Sequence, residues 1–164
     1  MKFIFFNSKI LKGFFIILLI CSACKEKKTE EIKTAIIGFT KEGELSIFKR
    51  DSLLVNLDIE IAETDYETET GLMYRESMEE KQGMLFIQDE FKVQNFYMKN
   101  TQISLDLVFI DENLKIVSFQ EKAKPFDESS LSSQVPAKYV LEINAGLAEK
   151  WLLEVRDSIS FTRL

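Results

Sequence analysis

Histidine is absent from all 164 residues, and cysteine occurs only at Cys21 and Cys24. The first absence removes the commonest general base and metal ligand, and with them every Ser-His-Asp or Cys-His arrangement and the usual zinc sites. The second leaves residues 35–164 without a thiol, so neither a disulfide nor thiol catalysis is available there. Basic clusters are missing from residues 35–164 as well. Lys and Arg total 21 against 27 Asp and Glu, a net charge of −6, and phosphate neutralisation, on which nucleic-acid binding rests, has no stretch to work with. No internal repeat, P-loop, dinucleotide fingerprint or nucleophile elbow is visible. The partners left open are neutral, cationic or apolar.

What is present begins with an address. Lys2, Lys9 and Lys12 form a basic segment, Phe14 to Ile20 an apolar one, and Ser22-Ala23 supply small residues ahead of Cys24. The apolar run is shorter than the roughly 20 residues a membrane span needs. A basic, apolar, small-residue layout is a secretory signal, and Ser-Ala-Cys resembles the lipobox of bacterial lipoproteins, although Cys21 stands where Leu is usual. The expectation is a signal peptide over residues 1–23 and lipidation of Cys24, with an ordinary secretory signal or an uncleaved anchor as the alternatives. Loss of three lysines then takes the net charge from −6 to −9. Residues 25–34 hold seven charges in ten and read as a solvated tether. The chain is thus expected in the cell envelope, held by lipid on the outer membrane for preference, with the periplasmic or surface face left open.

Residues 35–164 are long enough to bury a core and read as a single β-rich domain. Ile36–Phe39 and Leu45–Phe48 predict a hairpin closed at Gly43. Leu53–Ile61 predicts a strand with Val55, Leu57, Ile59 and Ile61 on one face. Thr64 with Glu67 spells a capping box for a short helix reaching about Met73. Further strands are expected at 84–87, 94–98, 105–110, 115–121 and 139–143, the third and fourth joined by a turn at Asp111-Glu112-Asn113. Asn144 is the expected cap of a helix over 145–153, and 159–161 offers a last strand.

Five ordered motifs carry a resemblance: Gly71-Leu72-Met73-Tyr74-Arg75, Gly83-Met84-Leu85-Phe86, Phe96-Tyr97-Met98-Lys99-Asn100-Thr101, Leu105 to Asp111, and Tyr139 to Gly146. In this order they are similar to the domain of unknown function 192 family. The resemblance covers about residues 53–161 and implies a compact, mostly antiparallel β-barrel or sandwich with one or two short helices, with no established activity. Three positions depart from it. Tyr97 stands where Trp is usual, Phe126 where many members have Cys, and Val155-Arg156-Asp157 lacks a Gly often found before that Asp.

Arg75, Asn100 and Asp106 are the polar members of these otherwise apolar motifs. A carboxylate between Leu105 and Leu107 must offset its desolvation, and Arg75, with its bidentate fork, is the expected partner. Phe96 and Tyr97 are adjacent in a strand and so face opposite ways, which makes Tyr97 the ring expected to meet a ligand. Arg75, Tyr97, Asn100 and Asp106 are therefore the candidate cleft; the competing reading is a buried ion pair and a turn that serve structure alone. Met73, Met84 and Met98 could offer thioethers to Cu(I) but sit in segments that must pack, so neither metal nor cofactor is expected. The functional expectation is an envelope domain that binds a small molecule, a glycan or a protein. A carboxylate-dependent glycan hydrolase and an assembly factor are the alternatives, and no sequence rule places the two carboxylates a hydrolase needs.

Overall fold

The computed structural model describes residues 37–164; the lipobox, Cys24 and the charged tether lie outside the described residues. Seven strands and two short helices follow in the order β1 (Gly43–Lys49), β2 (Ser52–Ala62), α1 (Asp65–Thr70), β3 (Gln82–Phe96), β4 (Leu105–Ile110), β5 (Ile116–Ala123), β6 (Leu131–Asn144), α2 (Leu147–Lys150) and β7 (Ser158–Arg163). They form one sheet ordered β5-β4-β6-β3-β2-β1-β7. Every pairing is antiparallel except β2 with β3, which α1 connects as a crossover. The sheet curls until its two edge strands meet at one end. There Ile116 N–H donates to the Asp157 carbonyl, Arg156 N–H to that of Ile116, and Ile159 N–H to that of Leu114.

The mostly β architecture expected from the sequence is the one found. Period-two alternation in β2 sends Val55, Leu57, Ile59 and Ile61 into the interior of the curl, where they meet apolar residues from all the other strands. The opposite face has its own core. Met84, Phe86, Leu105, Leu107, Phe109 and Val140 pack there under Leu72 and Met98 from the connecting segments. Strand β4, buried at all six positions, is the wall shared by the two cores.

Local signals held where they depended on neighbours in sequence. Thr64 and Glu67 form the capping box in full, and α1 ends at Gly71 (φ 46°) rather than running to Met73. Asp111 accepts the amides of Asn113 and Lys115 and so closes the β4–β5 turn. Three expectations are corrected. Gly43 opens β1 instead of closing a hairpin, because a Cβ there would run into the Thr162 carbonyl of β7; the first turn lies at Arg50-Asp51, and Ile36 lies outside the described residues. The segments 84–87 and 94–98 are not two strands but parts of β3, whose pairing with β6 shifts register between Ile87 and Lys92. The second helix is only four residues long and is capped at Gly146, not Asn144. The Asn144 amide is used elsewhere, donating to the Met78 carbonyl at 2.8 Å.

Candidate functional site

Three strands bury a carboxylate between two large aliphatic residues: Ile59-Glu60-Ile61 in β2, Leu105-Asp106-Leu107 in β4 and Leu141-Glu142-Ile143 in β6. All three carboxylates are buried, with exposures of 6, 0 and 5 %. Burying a charge without compensation costs several kcal/mol (roughly), so each must find donors, find a cation, or take up a proton. Each does something different.

Glu60 has the cation. Arg75 Nη2 lies 2.8 Å from both of its oxygens, while Nη1 donates to the Gly38 carbonyl and the Thr40 amide donates to Glu60. The expected partnership of Arg75 with Asp106 is therefore not formed. Sheet order explains this, since β2 lies three strands away from β4. Asp106 instead faces the interior of the curl and accepts three amides, Lys122 at 2.8 Å, Gly146 at 2.8 Å and Ala148 at 3.0 Å. It ties the end of β5 to the start of α2, supplying the acceptor that Gly146 lacks as a cap. Asn100 adopts φ 57° and pins the neighbouring loop, its Nδ2 donating to Tyr74 Oη at 3.0 Å and its carbonyl accepting the Tyr74 amide.

Glu142 has neither a cation nor a donor among the described residues, and burial alone pushes its carboxyl up to about 8. It stands opposite Met84 of β3 and Leu107 of β4, on the outer face of the curl. Above it opens a cavity of about 280 Å³. Thr68 to Met73, from the end of α1 and the turn after it, form one wall; Phe86, Gln88, Gln94 and Phe96 of β3 form another; Tyr97 and Thr101 close the rim. Gly71 is required in the first wall, since its φ is positive and a Cβ would sit 2.9 Å from the Phe86 ring. Phe86 and Phe96 meet edge to face at 5.2 Å, which fixes the apolar side of the cavity. Gln94 is held by its Nε2, which donates to the carbonyls of Glu90 and Ala137, so Oε1 is the remaining polar atom of that amide.

Of the four residues singled out from the sequence, Tyr97 lines this cavity; Arg75, Asn100 and Asp106 do not. Tyr97 is half exposed, and Phe96 beside it lines the same cavity because β3 ends there. Met84 and Met98 are buried in the outer core, and Met73 lines the cavity wall. Glu142 was not singled out, although it shows the signal that drew attention to Asp106, an acid flanked by aliphatics within a strand.

The DUF192 family model, described as "Uncharacterized ACR", matches residues 46–161. The chain belongs to the DUF192 family. Two solved structures are similar to it. A protein of unknown function from Novosphingobium aromaticivorans is 29 % identical, with a TM-score of 0.68 over 71 % of this chain and 83 % of that one. A candidate transcription regulator from Sinorhizobium meliloti is 31 % identical, with a TM-score of 0.71 over 76 % of this chain and 98 % of that one. No curated protein matches the chain. The family is uncharacterized, and the two solved structures share the fold.

Proposed function

We propose that this DUF192 domain binds a small ligand in the cavity over Glu142 and is held in the cell envelope by lipid on Cys24. The observation that carries the first part is a buried carboxyl without a partner among the described residues, at the floor of an open cavity lined also by aromatic and aliphatic side chains, neutral polar groups and Glu69. A titratable group perturbed by burial at the floor of a concave, partly apolar pocket is a functional-site candidate on physical grounds. A volume of about 280 Å³ suits a molecule of amino-acid or monosaccharide size. The regulator label of the Sinorhizobium protein is not carried over, because a net charge of −6 and a cavity without Lys or Arg offer nothing to phosphates. Anchoring rests on the Ser22-Ala23-Cys24 sequence behind a basic and apolar segment and on the charged tether that follows.

A thermal-shift panel of monosaccharides, wall fragments, amines and common metabolites tests the ligand reading. A ligand at 100 times its dissociation constant adds about 2.7 kcal/mol, a shift of roughly 10 °C for a domain of this size. A hit abolished by Glu142→Gln is the expected result. A flat panel removes the cavity from consideration and moves attention to protein partners.

A second reading rests on the same carboxyl. A glutamic acid held protonated near neutral pH is what a glycosidase uses as general acid, and Glu69 supplies another acid in the cavity wall. Release of aryl alcohol from aryl glycosides, lost in Glu142→Gln, would establish it.

A further inference from the structure

Resting on the cavity reading above, we propose that its ligand is a small organic cation, a primary ammonium compound whose charged head pairs with the Glu142 carboxylate while its body lies against Phe86 and Phe96. The argument starts from what the cavity lacks. Its lining contains Glu142 and Glu69 and neither lysine nor arginine, so an anion would meet two acids and no cation. Of the three buried carboxylates flanked by aliphatics, Glu142 is the one that has no partner among the described residues. Glu60 has Arg75, and Asp106 has three amides. The partner missing from Glu142 is what a cation with N–H donors supplies. Aromatic faces beside it attract the same charge.

The approach to the cavity points the same way. A neighbouring groove shares Thr68, Gln88 and Gln94 with it and is lined by Glu63, Asp65, Asp89, Glu90 and a single cation, Lys92. Glu90 is paired with Lys92 and Glu63 with Arg163, which leaves Asp65 and Asp89 as the unpaired acids of the groove among the described residues. Such a surface raises the local concentration of cations.

Binding should move a proton. In the free protein the buried Glu142 carboxyl carries one near neutral pH; when an ammonium ion enters, Glu142 ionises to pair with it, and that proton leaves to solvent. The groups able to disturb this are few. Strand β4 presents uncharged Leu107 beside Glu142, and β3 presents Met84, Phe86, Gln88 and Gln94. Glu60 of β2 stands beyond Met84 with its charge taken by Arg75. The wall at α1 offers Glu69, and the rim offers Tyr97.

Cyclohexylammonium and its neutral isostere cyclohexanol separate charge from shape. Isothermal titration of the purified protein at pH 7 in phosphate and in HEPES, buffers of different ionisation heat, reads both affinity and proton release. The expected result is cyclohexylammonium binding at least ten times tighter than cyclohexanol, with about one proton released and an affinity that rises nearly tenfold between pH 6 and 7. Glu142→Gln should abolish the preference; the proton count on the unaltered protein keeps the test valid should that variant fold poorly. Equal binding of the two probes, or amine binding without proton release, overturns the cation assignment and leaves the cavity reading standing. So does a panel in which only neutral or anionic compounds bind. If no compound binds at all, both fall.

Discussion

Glu60 and Glu142 flank Met84 on one face of the sheet, and of the two only Glu60 has a cation among the described residues. Register fixes the arrangement, since Met84 is paired with Glu60 on β2 and with Glu142 on β6. Two strand spacings put their backbones about 10 Å apart. Arg75 is committed to Glu60 and to the Gly38 carbonyl, so the second acid is left to the cavity.

That difference predicts opposite behaviour on mutation. Arg75→Met strands the buried Glu60 carboxylate and should cost about 3–5 kcal/mol in denaturant unfolding, whereas Arg75→Met combined with Glu60→Leu should recover most of that loss. A double variant as unstable as the single one would show that the pair is not acting as a buried charge and its partner.

Glu142 sets a pH dependence. Its carboxyl is raised from 4.5 to about 8 in the folded protein by burial, so between those values the native state holds more protons than the unfolded state. Its contribution is fully present below pH 4.5 and is lost as pH rises towards 8. Glu142→Gln has no such loss. The stability of the variant relative to the unaltered protein should therefore climb between pH 5 and 8.5, by on the order of a few kcal/mol. Parallel stability curves would contradict the buried, partnerless placement of Glu142.

Asp106 is predicted to matter for folding and not for ligand. Asp106→Asn keeps one carbonyl oxygen for the amides of Lys122, Gly146 and Ala148 and replaces the other acceptor by a donor. The expected cost is about 1.5–3 kcal/mol, the usual value of a hydrogen bond to a charged group. Any compound that binds the cavity should bind this variant unchanged, because Asp106 faces the other side of the sheet; loss of binding with stability intact would refute that separation.

Anchoring has its own test. Cys24→Ala should yield an unacylated precursor that no longer partitions with membranes as the unaltered protein does, since two or three acyl chains give stable attachment and one gives only marginal binding. A wild-type mass without lipid would rule the anchor out.

The parts of this fold that were legible in the sequence are those fixed by near neighbours. The Thr64–Glu67 capping box, the alternation of Val55, Leu57, Ile59 and Ile61, and the Asp111 turn each depend on residues a few positions apart. The partner of Arg75 depends on which strands lie side by side, and the parallel β2–β3 pairing that brings Glu60 within reach has no local signature. The short second helix was misjudged for the same reason, because its start is capped by Asp106, forty residues earlier in the chain. At the site, Tyr97 lines the cavity from just beyond the end of β3, where strand alternation no longer separates it from Phe96. Glu142 escaped notice within the run Tyr139 to Ile143, where an isolated acid reads as a solvent-facing position, until β3 and the α1 turn are seen to cover it.

The central claim is that Glu142 is a buried carboxyl without a partner among the described residues, facing its cavity. Carbon-13 NMR of the Glu142 side-chain carboxyl across pH 3 to 10 tests it directly. A midpoint near 8 is the predicted result. A midpoint near 4.5 would mean that water or a donor reaches the group, and the ligand site built around it would fail.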